Sequence, residues 1–427
     1  MGRLSRGDLL PDPSPVGASR SGELLSRLEA NEAPGVNTCV DGEVPLIWEE
    51  ALGANVLDVD GRIYLDLTSG FGVAAIGHRH PEVVAAVVEQ SGRLLHGLGD
   101  VAAHPGRIAL ATRLVQLAPV DDPQVYFAVS GSDAIEIALK TALLATGRDR
   151  VLAFAGGYHG LTLGALATTS RPAFRDPFST RLTPWVERLP FGEDPARVGA
   201  PPNEIGAVLV EPILGREGVV LPPPGWLPHL ASWASSHGAL LVVDEIFTGF
   251  GRTGNWFAVD HETVRPDVLV VGKALGGGLP IAAAIASRSV FAAWNRGGEA
   301  LHTATFLAHP LACSAALATL AVLERDRIPE RAARLGGEVA ARVPAWRDLA
   351  GVREVRGRGL LWGIETTTAE GAARAQAALR RDGVLALRAG ARGEVIQFAP
   401  PLTISAPQLS FALAAIEDAL RETTRQP

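Results

Sequence analysis

The sequence predicts an α/β protein: a large, doubly wound, mostly parallel sheet joined to a smaller α+β unit. Three observations lead there. Apolar strand-like and helix-like stretches alternate regularly between about residues 100 and 310. Those strands are apolar nearly throughout, as expected where helices cover both sheet faces. The chain has 427 residues, 47% of them hydrophobic, enough for a large core and a second, smaller one.

In chain order, "NVLDVDGRIYLDLTS" reads as two strands turning at Asp60-Gly61. "HPEVVAAVVEQSGRLL" and "GRIALATRLVQLA" have helical periodicity. Strand "QVYFAVS" leads into helix "SDAIEIALKTALLATG", followed by strands "RVLAFAG" and "IGAVLVEPI". Helix "GWLPHLASWASSHG" precedes strands "ALLVVDEI" and "DVLVVGKA". Helix "PLACSAALATLAVLERDR" bridges to a C-terminal unit with strands "GLLWGIE", "VLALR" and "EVIQFAP" and helices "GAARAQAALRRDG" and "PQLSFALAAIEDALRET". The expected units are an N-terminal arm and joining segment (1–69), a large domain (70–325) and a small C-terminal domain (326–427). The first 20 residues, rich in Pro, Ser, Gly and Arg, read as a mobile arm.

A net charge of −7, with arginines interspersed among acids, argues against a nucleic-acid partner. No apolar run is long enough for a signal peptide or a membrane span. Cys39 and Cys313 fit no metal or redox spacing and read as inert buried thiols of a reducing cytoplasm.

Of 39 Lys plus Arg, only Lys140 and Lys273 are lysine. Arginine serves wherever a charge suffices, but it cannot form an imine. Lys273 follows the apolar strand "DVLVV" and precedes the Gly run 276–278, where backbone can pass close to a flat ligand. A desolvated amine there is a nucleophile and a base. Lys140, inside a helix, reads as a solvated lysine.

Ligands of open α/β sheets sit at the carboxyl ends of strands, so the polar residues there are the candidates. Gly131 and Ser132 lie at a strand-to-helix junction whose free N–H groups favour a phosphate; in isolation a plain N-cap by Ser130 or Ser132 is the commoner explanation. Asp244 ends an apolar strand, where a carboxylate needs a cation or donor such as a protonated pyridine; a turn cap is the alternative. Tyr158 in "GGYHG" is a stacking aromatic or a core tyrosine, and His159 reads as structural.

Some patterns mislead. "GFGRTG" (249–254) matches a dinucleotide fingerprint but opens no helix, and "VGKA" lacks the glycine and hydroxyl of a phosphate-binding P-loop. "GHRHP" (77–81) offers two histidines with no third ligand, so it reads as a turn and no metal is expected.

Taken together, a phosphate cradle, a partner for a ring nitrogen, a stacking aromatic and an imine-forming lysine match pyridoxal 5′-phosphate. The sequence resembles the class III (ornithine/4-aminobutyrate-like) aminotransferases. The resemblance runs from about residue 45 to 407 through "LDLTSGFGVAAIGHRHP", "SGSDAIEIALK", "YHG", "VEPILGREG", "DEIFTGFGRTG", "PDVLVVGKALGGGLP", "HTATFLAHPLAC" and "FAPPL". It implies fold-type I, the aspartate-aminotransferase-like architecture. It further implies that Lys273 carries the cofactor as an imine, Asp244 pairs with its ring nitrogen, and Gly131 and Ser132 hold its phosphate. Tyr158 and Ile246 would flank the ring, and Thr305 would reach the phosphate of the partner subunit's cofactor. A homodimer with shared active sites follows from that last role.

There are departures. Gln397 in "QFAPPL" stands where the family grips an α-carboxylate with arginine, and Leu161 replaces another substrate-binding arginine. Phe247 stands where many relatives have glutamine, and Phe71 is expected to line the pocket. Glu211, without the arginine the family gives it, should face a cationic or hydroxylated substrate or else pair with Arg216 or another local arginine. The expected activity is therefore ping-pong transfer between a terminal primary amine (amino sugar, diamine or ω-amine) and a carbonyl acceptor. The alternatives are a 4-aminobutyrate/ornithine-type enzyme that reads carboxylates with Arg171 or Arg175, an aminomutase, and a relative that binds the cofactor without catalysis.

Overall fold

Seven strands form the central sheet, in the order Pro123–Ala128, Ala282–Ser287, Val268–Val271, Leu240–Asp244, Ile205–Val210, Arg150–Phe154, Val186–Leu189. All run parallel except Ala282–Ser287, which is antiparallel to both neighbours. The structure, a computed structural model, describes residues 4–14, 20–33 and 46–422. Cys39 lies outside these residues; Cys313 is buried, and burial pushes its thiol up to about 12.

The inner strands are buried except at Leu240, which is half-buried, because helices pack on both faces. Helix Gly131–Thr146 starts where Ser130 Oγ accepts from Asp133 N at 3.2 Å and stops at left-handed Gly147. Its buried Ala134, Ile135, Ile137 and Ala138 share a core with Ala282, Ala284 and Ala286. The alanine-rich strand "AAAIAS" is thus narrow where a helix lies on it. Its composition carries little strand signal, and the sequence reading passed over it. Strands Val186–Leu189 and Val352–Arg358 and helix Ile328–Ala340 were missed as well.

Strands Asn55–Asp58 and Ile63–Asp66 pair antiparallel, and Asp58 Oδ1 closes the turn by accepting from the N–H of Asp60 and of Arg62 at 2.9 and 2.8 Å. Ile63–Asp66 also pairs, in parallel, with Val384–Leu385 near the C-terminus. A further antiparallel sheet takes the order Val352–Arg358, Leu361–Thr366, Val395–Phe398, Leu387–Ala389. Arg252, from the misleading "GFGRTG", is fully buried; it donates to Leu360 O at 3.1 Å, Pro400 O and Ser69 Oγ at 3.4 Å.

The described part of the N-terminal arm departs from expectation. Leu4 is buried, Asp12 bridges to Ile63, and the amide of Gln408 holds the carbonyls of Gly7 and Leu9. Backbone hydrogen bonding outweighs the loop-like composition. Residues 1–3 and 15–19 of that arm lie outside the described residues. No helix among the described residues is long and apolar enough to cross a membrane.

Candidate active site

Asp244 closes strand Leu240–Asp244, where the apolar run ends at the sheet's carboxyl edge. The carboxylate is 4% exposed. Its Oδ1 accepts from Ile246 N at 3.0 Å, and Oδ2 lies 2.9 Å from His159 Nδ1. His159 is itself buried, with its backbone N–H donated to Thr169 Oγ1. The reading of His159 as structural is therefore incomplete: it orients the site's carboxylate. Nothing in the sequence marked that contact, because 85 residues separate the pair.

Lys273 follows strand Val268–Val271 and sits at φ 42°, a left-handed conformation that L residues rarely adopt. Its Nζ lies 4.4 Å from the ring centre of Phe247. Burial lowers the amine's pKa; Asp244 and Glu211 oppose that shift, and Arg216 adds to it. Phe247 occupies a slot that two glycines leave open. A Cβ on Gly72 would stand 2.6 Å from the ring, and one on Gly215 would stand 2.5 Å from it. Phe247 therefore walls the amine.

Gly131 and Ser132 open helix Gly131–Thr146, and a Cβ on Gly131 would stand 2.8 Å from Ile246 Cδ1. Ser132 Oγ is 2.7 Å from Thr162 Oγ1, which donates to Glu136 Oε1 at 2.6 Å. Thr162 and Glu136 had escaped notice. Lys140 is exposed but not merely solvated: its Nζ lies 2.9 Å from His302 Nδ1, and His302 Nε2 lies 2.9 Å from Asp133.

A cavity of about 670 Å³ gathers Phe71, Gly131, Ser132, Tyr158, Leu161, Glu211, Asp244, Ile246, Phe247, Lys273 and Gln397. Of the expected site residues only Thr305 is elsewhere, in a second cavity of about 540 Å³ with Leu279, Pro280 and Phe306. Glu211 makes no pair with Arg216. Its Oε1 accepts from Tyr158 N at 2.9 Å and its Oε2 from Gly215 N at 3.1 Å, while burial raises its pKa to about 7. Gln397 donates to Gly215 O at 3.1 Å. Arg171 is held by Gly390 O and Glu217.

These residues fit pyridoxal 5′-phosphate. A half-buried lysine and a buried, oriented carboxylate share one cavity, main-chain N–H groups open a sixteen-residue helix at its edge, and Gly131 leaves Ile246 room to form a wall.

Known proteins agree. The family described as "Aminotransferase class-III" matches residues 39–420, and the chain belongs to it. An acetylornithine aminotransferase of Methanopyrus kandleri is 41% identical over 369 residues, covering 86% of this chain and 92% of that one. The ornithine aminotransferase of Toxoplasma gondii, in a structure with pyridoxal phosphate at partial occupancy in its active site, superposes with a TM-score of 0.84 at 28% identity, covering 94% of each chain. An (S)-enantioselective omega-transaminase from Thermomicrobium roseum superposes with a TM-score of 0.85 at 27% identity, over 96% of this chain and 100% of that one. The expected fold-type I architecture and pyridoxal-phosphate dependence hold, and the chain is a transaminase.

Proposed function

Taking the chain as a pyridoxal-phosphate transaminase, we propose that it moves amino groups between an ω-amino acid of the ornithine type and a carbonyl acceptor, by a ping-pong mechanism. The observation that carries this reading is the half-buried Lys273 sharing one cavity with the oriented carboxylate of Asp244. When bound, the cofactor supplies an aldehyde for amines to condense with and a conjugated ring that draws electrons from the breaking bond.

This chain's residues do the rest. Lys273 would hold the cofactor, and its amine, whose pKa burial lowers, is placed to move a proton from the substrate's amine-bearing carbon. Asp244 keeps the proton on the ring nitrogen, with His159 as its positioning residue. The N–H groups of Gly131 and Ser132 receive the phosphate, while Tyr158 and Ile246 flank the ring. Phe71 and Leu161 line the substrate end.

The amino-sugar and diamine readings leaned on Glu211 facing the substrate. Both of its oxygens accept main-chain N–H groups, which favours the ω-amino-acid alternative. The acetylornithine aminotransferases among the relatives support the same choice.

The working unit is a homodimer in which Thr305 reaches the partner's phosphate. Support comes from exposed apolar side chains near that segment: Leu95, Leu98, Val101, Ile108 and Phe306. The Gly99 turn abuts the carbonyls of Ala304 and Thr305, and His96 meets Phe306 edge-on. The scarcity of cysteine supports a cytoplasmic location.

Borohydride reduction of the holoenzyme should fix the cofactor on Lys273, within residues 266–288, as read by mass spectrometry. A donor screen that follows the bound cofactor's absorbance should rank ω-amino acids above amino sugars and diamines. Label on Lys140 alone, or the reverse ranking, would overturn this reading.

A further inference from the structure

Resting on the transaminase reading, one cation of the cavity still lacks a task. Arg216, exposed, lines it together with Lys273, and its side chain makes no hydrogen bond or ion pair with any described residue. The carboxylates nearest to it in sequence are committed elsewhere. Glu211 accepts from the N–H groups of Tyr158 and Gly215, and Glu217 pairs with Arg171 at 3.4 Å. Arg388, also in the lining, donates to Gln376 at 3.0 Å.

The side chain is nonetheless held in place. Its guanidinium carbon stands 5.5 Å from the ring centres of both Tyr158 and Phe174. The backbone beneath is pinned on both sides: Arg216 O accepts from Gly390 N at 3.1 Å, and the preceding carbonyl, Gly215 O, accepts from Gln397 at 3.1 Å. Gln397 thereby spends its amide on the loop rather than on a ligand. Arg216 is nevertheless exposed to the open cavity, where an anion can reach it; partial burial and the like charge of Arg171 lower its pKa.

We propose that Arg216 is the specificity residue of this enzyme, its guanidinium receiving the substrate carboxylate at the end of the chain remote from the reacting amine. A planar fork resting against two aromatic rings suits a carboxylate, which it can grip through two parallel hydrogen bonds. The substrate class follows: an amine and a carboxylate at opposite ends of a flexible chain.

The test compares 5-aminopentanoate with pentylamine, a donor of the same length without the charge. Each is mixed with the holoenzyme and the loss of the bound cofactor's absorbance is followed, so no acceptor is needed. Wild-type enzyme should favour the acid, and Arg216→Met should cut the acid-to-amine ratio of kcat/KM by about tenfold to a hundredfold. Arg216→Lys, which keeps the charge and loses the fork, should fall between. Glutarate binding to the resting holoenzyme, read by calorimetry, should weaken in parallel and does not depend on turnover. An unchanged ratio in Arg216→Met, or a wild type with no preference for the acid, overturns the Arg216 assignment alone. A wild type that reacts with no amine overturns the transaminase reading and this assignment with it.

Discussion

His159 Nδ1 lies 2.9 Å from Asp244 Oδ2, and both side chains are buried. With Ile246 N on the other oxygen, the carboxylate has one orientation. Removing the imidazole leaves a buried carboxylate short of a partner, at a cost comparable to a lost charge-assisted hydrogen bond. His159→Leu should weaken cofactor binding by about tenfold or more, measured by equilibrium dialysis against pyridoxal phosphate. His159→Asn, which can place a donor near the Nδ1 position, should recover part of the loss. Equal losses in both variants would mean that the ring acts by packing alone.

Lys273→Arg keeps the positive charge and nearly the length, in a protein that uses arginine almost everywhere else. A guanidinium forms no imine at neutral pH, so transamination should drop to background and borohydride should label nothing at this position. Residual turnover near the wild-type rate would remove Lys273 from the chemistry.

Glu245, next to Asp244, is fully buried and accepts from Val259 N and Thr248 Oγ1. Burial raises its carboxyl from 4.5 to about 7. The folded state thus favours the protonated form. Its contribution to stability is complete below the unfolded value and lost as pH rises through about 7. Glu245→Gln, which stays neutral, should lose about 3 kcal/mol less stability than wild type between pH 4.5 and pH 7. Urea unfolding at the two pH values measures the difference, and parallel curves would refute it.

Gly215→Ala would place a methyl group 2.5 Å from the Phe247 ring. The ring must shift, at about 1–3 kcal/mol in stability, and the wall beside the Lys273 amine shifts with it. Adding Phe247→Leu should restore much of the melting temperature. A double variant no more stable than Gly215→Ala would place the strain elsewhere.

Phe306→Asp inserts a charge among the exposed apolar side chains near Thr305. It should leave the protein monomeric, against the proposed homodimer, and lower activity, as seen by light scattering alongside the donor assay. A wild-type protein that is monomeric at assay concentration would remove the shared-site arrangement.

Much of the cavity was legible because each chemical role demands one residue type at a strand end. An imine calls for an amine and a ring nitrogen for an acid, so Lys273 and Asp244 stood out as candidates against apolar strands. What escaped depends on contacts distant in sequence. His159 meets Asp244 across 85 residues. Arg216 was weighed only as a partner for Glu211, because sequence cannot show that main-chain amides satisfy that carboxylate. In the fold, apolar parallel strands announced themselves, while "AAAIAS" did not, since its alanines answer to a neighbouring helix rather than to strand propensity. The arm read as mobile because composition is blind to hydrogen bonds from a glutamine 400 residues away, and Gln408 supplies them.

Arg252 ties Ser69, Leu360 and Pro400, three stretches far apart in the chain, to a single buried guanidinium. Prising those stretches apart would strip a cation of its acceptors away from water, so the junction behaves as a weld and not as a hinge. Phe71, 58% exposed and set on a left-handed turn, lines the cavity without taking part in that junction.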